Sequence, residues 1–434
     1  MKILIVSKLF LPMNVIGAVR PYNFAKELSN LGFQVTCVTG ELESGKTERD
    51  INFDICRVEC GAIECWNKNR VQKGRNVQSS AQKTATYKKP NRAIAVLRRT
   101  AAQVLTVCEA IEWSSLAVKK CVDIINEDKP DLIFTTYGPL DTVLVGLKLK
   151  KRFKNIKWVS DMRDAMDAEQ QQWWRKKLFS IIQNKMLKNA DAVVTVCRAL
   201  AKKYTLILEK YKKNTEVFVV ENGYEEIPTT TLPIKDGVLR IGYTGSLYGG
   251  LRKMDALFDA LSFLERKFGE EVPVKVCYAG TDGAELLYQA KKYNAEKYVV
   301  DYGMVDRVEA LHIQETSDIL CVLSWNTKKE QGILTGKFPE YLRLKKPVLA
   351  LIDGDMPNSE LTERINELNM GFSYEYIDSQ KAFPQMVEWL QKAIVCKKNN
   401  MDICTDIKFD VMEEYSYLKL VKRLYDILMT VLSE

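Results

Sequence analysis

Histidine is almost missing from this 434-residue chain: His312 is the only one. A serine–histidine–aspartate relay or a histidine-rich metal centre would have to use it. It falls on an expected helix between Glu309 and Gln314, where an ordinary surface position is the simpler account. Long apolar runs are also absent. Nothing approaches the roughly 18 uninterrupted apolar residues of a membrane span, so none is expected. The opening Ile3–Val6 run is too short for a signal segment and reads as a first strand of a cytoplasmic protein. Gly-x-Gly-x-x-Gly does not occur: Gly17 stands alone, and Gly242, Gly245, Gly249 and Gly250 are wrongly spaced. A nicotinamide or flavin dinucleotide site therefore lacks its main signature. The 11 cysteines are an odd number and lie mostly in apolar segments (Cys37, Cys197, Cys277, Cys321), which suits reduced, buried thiols. Cys56, Cys60 and Cys65 cluster without Cys-x-x-Cys spacing or a nearby histidine, so no metal site is expected there.

One long stretch in particular lacks acidic residues. Between Glu64 and Glu109 there is none, while Lys68, Arg70, Lys73, Arg75, Lys83, Lys88, Lys89, Arg92, Arg98 and Arg99 are all basic. This insertion, residues 65–108, holds much of the excess in a chain of 64 basic and 56 acidic residues, net +8. Two readings stand side by side. One is a solvated insertion. The other is a surface, at 68–99, that meets anionic phospholipid or a lipid-diphosphate acceptor, with Trp66 and the Ala93–Leu97 run as shallow anchors. Aromatic platforms are too sparse there for nucleic acid, and no nucleic-acid partner is expected.

What is present is an alternation of short β-rich runs and helices, repeated twice, the pattern of doubly wound parallel sheets. A chain this long exceeds one compact core, so two domains are expected. The first series begins at Lys2–Val6, the second at Leu239–Thr244, with a linker at Ile227–Gly237 between them. The expected domains are 1–228, with the basic insertion, and 229–410. A terminal helix at 411–434, apolar at Leu418, Val421, Leu424, Leu428 and Leu432, would pack back on the first.

Four segments carry chemistry. Gly17, with Ala18 and Arg20 after it, lets backbone approach a ligand. Trp158–Ala165 puts Asp161, Arg163 and Asp164 at the end of a buried strand, where open parallel sheets bind ligands. Thr244-Gly245-Ser246, then Gly249-Gly250 and Arg252-Lys253, is a glycine loop running into basic residues at a helix start, a fit for diphosphate. Thr335-Gly336-Lys337 opens an amphipathic helix whose free amides and dipole attract phosphate, and Glu340 one turn on can accept from a ribose diol. Asp353-Gly354-Asp355 follows a late strand and reads as a loop.

The order of these motifs resembles GT-B glycosyltransferases, and among them the family 4-like enzymes of bacterial surface polysaccharide synthesis. Lys8–Leu28, Trp158–Asp164, Asn222-Gly223, Tyr243–Leu261 and Gly336–Pro347 each resemble a family segment. The resemblance implies two Rossmann-like domains facing a cleft, with a nucleoside diphosphate sugar held mainly by the second. By position, Arg252 and Lys337 would neutralise the diphosphate with the amides of Thr335 and Gly336. Gly245 and Ser246 would lie beside them, and Glu340 would bind ribose. Gly17 would sit near the phosphates or the acceptor, and Asp161 near the transferred sugar; Asp161, Arg252 and Lys337 are the expected catalytic set. Such enzymes typically retain anomeric configuration and need neither cofactor nor metal. The implied activity is hexosyl transfer from a UDP-sugar, or a GDP-sugar, to a glycan or polyprenyl-diphosphate-linked acceptor at the inner membrane face. A GT-B-fold nucleotide-sugar epimerase and a non-catalytic membrane-associated assembly partner are the alternatives. Departures from the pattern are Gly332 where a glutamate is expected, with Glu330 nearby, and Ser246 in place of an arginine.

Overall fold

The computed structural model describes residues 1–13, 15–42, 51–68, 70, 92–137, 140–168, 171–225, 234–332, 336–403 and 406–433, with backbone only at 92–96. The centre of the basic insertion, the linker residues 226–233 with the expected 228/229 boundary, and Thr335 lie outside the described residues. The chain forms two compact units: Met1–Val196 with Leu200–Val220 and Val421–Glu434, and Cys197–Ala199 with Glu221–Leu420.

The first unit is built on β1 (Lys2–Ser7), β2 (Gln34–Gly40), β3 (Asp54–Val58), β4 (Leu132–Tyr137), β5 (Lys157–Met162), β6 (Ala192–Thr195) and β7 (Glu216–Val219). They form one sheet in the order β3-β2-β1-β4-β5-β6-β7, every pair parallel. Helices on both faces explain why its central strands are apolar throughout: Ile3 to Val6 and Leu132 to Phe134 are all buried. Tyr425 in the last segment of the chain packs edge-on against Phe33, ring centroids 5.5 Å apart.

The second unit repeats the plan with β8 (Leu239–Thr244), β9 (Val274–Ala279), β10 (Val299–Asp301), β11 (Ile319–Trp325), β12 (Val348–Asp353) and β13 (Gly371–Glu375). Their order is β10-β9-β8-β11-β12-β13, again all parallel. Alternation along β11 divides its side chains between two cores. Cys321 and Leu323 join the cluster with Leu239, Ile241 and Leu261, whereas Leu320 and Val322 join Tyr341, Leu342 and Ile365. In each sheet the strand order reverses direction beside the first strand, at β1/β4 and at β8/β11. Crevices at the carboxyl ends of such strands are where open α/β sheets take ligands.

Two expectations change. Edge strands β3 and β13 are absent from the sequence reading; β3 is short and only half-buried, and β13 opens on a glycine, so neither shows an apolar run. Cys60 and Cys65 are joined as a disulfide rather than held as thiols, their Cα atoms 6.0 Å apart where the chain enters the helical residues 62–68. Cys37, Cys197, Cys277 and Cys321 are free and buried, as expected. No helix among the described residues is long and apolar enough to cross a membrane.

Candidate functional site

Strand β8 ends at Thr244, and the chain turns at Gly245, whose φ of 150° lies in a region that side chains avoid. A second reason for glycine is contact. A Cβ there would stand 2.6 Å from Lys337 Cε, so the bare backbone is what lets the lysine close on the strand end. Lys337 is the first residue of the helix Lys337–Leu344, with Gly336 as its cap. Its Nζ donates to Thr244 Oγ1 at 3.4 Å. Burial, with Arg252 and Arg307 repelling it against the pull of Glu340, holds the ammonium below its ordinary pKa.

Arg252 reaches the same place from the glycine loop. Tyr248, Gly249 and Gly250 are all left-handed, which folds the loop back on itself. The guanidinium then lies 4.5 Å from the Tyr248 ring and 5.5 Å from Trp325, the residue that ends β11. It is 8% exposed and donates to Tyr243 Oη at 3.2 Å. Among the described residues its Nε has no hydrogen-bond partner and it has no carboxylate. Glu340 is the acidic group nearby. Gln314 Nε2 donates to it at 3.4 Å and to Thr244 Oγ1 at 2.8 Å, and Arg307 Nη2 is 3.7 Å from its other oxygen. Three cations thus face one carboxylate at the β8/β11 switch point.

Ser246 is otherwise engaged. Its hydroxyl donates to Asp282 Oδ2 at 2.7 Å and accepts from the Tyr248 amide at 2.9 Å, which shapes the loop. Asp353 Oδ2 pairs with Lys253 at 2.6 Å and Asp355 Oδ1 accepts from the Lys328 amide, so both hold loops. Glu330 Oε2 accepts from Trp325 Nε1 at 2.8 Å. His312 is exposed on the helix Arg307–Thr316. Gln314, Arg307, Tyr248 and Trp325 were not singled out from sequence. A glutamine buried in an amphipathic helix and a tryptophan ending a strand are the signals that mark two of them.

The rim of the first sheet differs. Asp161, at the end of β5, is fully buried instead of open. Arg20 grips it with Nε at 3.0 Å and Nη2 at 2.7 Å, and Thr136 Oγ1 donates at 2.7 Å. Arg163 donates to the Gly17 carbonyl at 2.6 Å, so Gly17 is held against the end of β5. A third group was not anticipated. Lys8 Nζ lies 2.9 Å from Glu64 and 3.4 Å from the buried Asp141 at the start of the helix Asp141–Arg152. Burial pushes the Asp141 carboxyl up to about 6 although Lys8 opposes it.

Comparison with known proteins now bears on this geometry. Residues 17–223 match the family described as glycosyl transferase 4-like domain. No curated protein matches the chain in sequence. Among solved structures, TarM superimposes with a TM-score of 0.61 at 11% identity, covering 100% of this chain and 99% of that one. The E. coli trehalose-6-phosphate protein bound with UDP-2-fluoro glucose gives 0.61 at 12%, covering 99% of each. The UDP-GlcNAc 2-epimerase of Methanocaldococcus jannaschii gives 0.51 at 12%, covering 99% and 100%. At such identities the likeness speaks to fold. With the family match over the first unit and two doubly wound units in series, the chain carries a glycosyl transferase 4-like domain at residues 17–223 and has the GT-B fold.

Proposed function

We propose that this enzyme moves a hexosyl group from a nucleoside diphosphate sugar, with uridine the leading base, to a glycan or polyprenyl-diphosphate-linked acceptor. The single observation that carries the donor class is the convergence of Arg252, Lys337 and Arg307 on a place where Glu340 is the one carboxylate. A diphosphate supplies the missing negative charge. Lys337, Arg252 and the amides of Gly336 and Thr335 would hold it at the helix start. Glu340, steadied by Gln314, would accept from the ribose hydroxyls, with Gly245 leaving room for the phosphates.

In this reading the rate enhancement is electrostatic. The leaving diphosphate gains charge as the glycosidic bond breaks, and fixed cations in a desolvated place stabilise that charge without reorganising. Protein cations do the neutralising, which fits a metal-independent transfer with retained configuration. Asp161 would act by holding Arg20, and with it the rim of β5 where Gly17 and Arg163 meet. A cytoplasmic site facing the membrane suits a lipid-linked acceptor.

A thermal-shift screen against UDP, GDP and CMP and their sugars, with and without divalent metal, tests the seat. A ligand at 100 times its Kd adds about 2.7 kcal/mol of stability. Stabilisation by one diphosphate without metal is expected; none with any of them would refute the donor site. The epimerase reading shares the fold of the archaeal neighbour, and interconversion of the donor sugar without an acceptor would favour it.

A further inference from the structure

Two helices of the first unit expose apolar residues where a water-soluble surface would carry charge of both signs. In Arg92–Asp128, Leu97, Val104 and Ile111 recur every seventh position and are 71%, 45% and 50% exposed. Positions seven apart lie on one face of a helix. The helix has no acidic residue before Glu109. In Trp173–Asn189 the exposed positions fall four apart: Trp173 at 79%, Lys177, Ile181 at 47% and Lys185. That helix holds Arg175, Lys176, Lys177, Lys185 and Lys188 and no acidic residue at all.

Gln172 joins the two. Its Oε1 accepts from Thr100 Oγ1 at 3.1 Å and from Trp174 Nε1 at 2.7 Å, which sets the start of the second helix against the first. Arg98, Lys177 and Lys185 are exposed and have no carboxylate within ion-pair distance among the described residues. The face is therefore a mixture of apolar tips and unpaired cations, with a tryptophan at its most exposed point.

We infer that this two-helix face is a docking surface for an anionic phospholipid bilayer. Charge decides the occupant. An apolar face seeking a second copy of itself would bring like charges together, whereas an anionic surface accepts the cations and the apolar tips at once. Tryptophan settles at the level of lipid headgroups, and lysine stems can lie along acyl chains while their ammonium groups stay wet. The contact is shallow, as for amphipathic helices lying in the interface. It places the surface on the helix Trp173–Asn189 as well as on the basic insertion, and it does not depend on the donor reading.

Flotation of the full chain with vesicles tests it. Binding is expected to vesicles of phosphatidylcholine and phosphatidylglycerol in equal parts, to be lost in high salt, and to be absent with phosphatidylcholine alone. Lys177→Gln and Arg98→Gln should each reduce the partition about fivefold at low salt, the worth of one basic residue at an anionic surface. Trp173→Ala with Leu97→Ala should abolish it with UDP binding and the urea midpoint unchanged. Brominated acyl chains should quench the fluorescence of the parent protein more than that of Trp173→Phe. Equal binding to neutral vesicles, no binding, or binding indifferent to these substitutions would overturn the inference. So would a dimer that forms without lipid and is lost on Trp173→Ala.

Discussion

Replacing Lys337 with methionine should make the protein more stable and its nucleotide site weaker. The ammonium is buried beside two other cations and, among the described residues, donates to one threonine hydroxyl at 3.4 Å with Glu340 as its opposing charge, so its charge is poorly compensated in the unliganded protein. Its pKa is depressed, so the folded state binds fewer protons than the unfolded one between the depressed value and 10.5. Stability therefore rises with pH through that window and is reduced below it, where the ammonium must be carried buried. Methionine keeps the stem, removes the charge, and should abolish that rise.

The same lysine is worth most when an anion arrives. A charge-assisted hydrogen bond to phosphate contributes about 1.5–3 kcal/mol, so the variant should bind UDP roughly 10- to 150-fold more weakly. A diphosphate must also lift the depressed pKa, so the parent protein should take up a fraction of a proton on binding at a pH between the depressed value and 10.5. Isothermal titration of UDP in two buffers of different ionisation enthalpy reads both quantities, and urea unfolding reads the third. Unchanged affinity, or a parent protein that takes up no proton where the variant also takes up none, would refute the reasoning even if turnover fell.

Two further perturbations follow from the same contacts. Gly245→Ala puts a methyl 2.6 Å from Lys337 Cε and forces alanine to φ near 150°, which costs about 1–3 kcal/mol. UDP binding should weaken with it, and Lys337→Ala in the same chain should recover the part of the stability lost to the side-chain clash, but neither the part lost to backbone strain nor binding, as read by paired unfolding and titration curves. Asp161→Ala leaves Arg20 buried without its partner and should cost about 3–5 kcal/mol, most of it recovered by adding Arg20→Met. Loss of turnover in Asp161→Asn at undiminished urea stability would instead give Asp161 a direct part in the chemistry.

The two-unit plan was legible because its central strands are buried on both faces and so read as unbroken apolar runs. The edges were not: β3 is exposed or half-buried from Asp54 to Arg57, and sequence alone has no core to set it against. Glycine and lysine positions of the proposed donor seat stand out in the sequence for a different reason. Gly245, Gly336 and Lys337 serve the backbone and one formal charge, and these are properties of residue type. Commitments between side chains are not. Nothing local distinguishes Asp161, saturated by Arg20 and Thr136 from distant segments, from a carboxylate open to a sugar. Ser246 is tied to Asp282 and Cys60 to Cys65 through contacts that exist only once the chain has folded.

Those commitments also separate the two sheets in a way their shared topology does not. On the rim of the first sheet three cations are spent, Arg20 on Asp161, Lys8 on Glu64 and Asp141, and Arg163 on the carbonyls of Tyr137 and Gly17, while Arg175, over the Phe179 ring, keeps a buried Nε without a partner among the described residues. With the Asp141 carboxyl lifted to about 6, its charge is mostly kept at neutral pH and is lost as the pH falls through about 6. That rim can recognise hydroxyls but has little free charge to offer an anion. On the rim of the second sheet, among the described residues, Arg252 has aromatic rings, a tyrosine hydroxyl and the Ser246 carbonyl but no carboxylate, and Lys337 donates to a threonine. The six-strand order of the second sheet repeats that of the first six strands of the first, and in the proposed function the balance of paired against unpaired charge favours the second rim for a diphosphate. A neutral sugar acceptor belongs by the same reasoning with the first sheet, and its binding should be far less sensitive to salt than that of the donor.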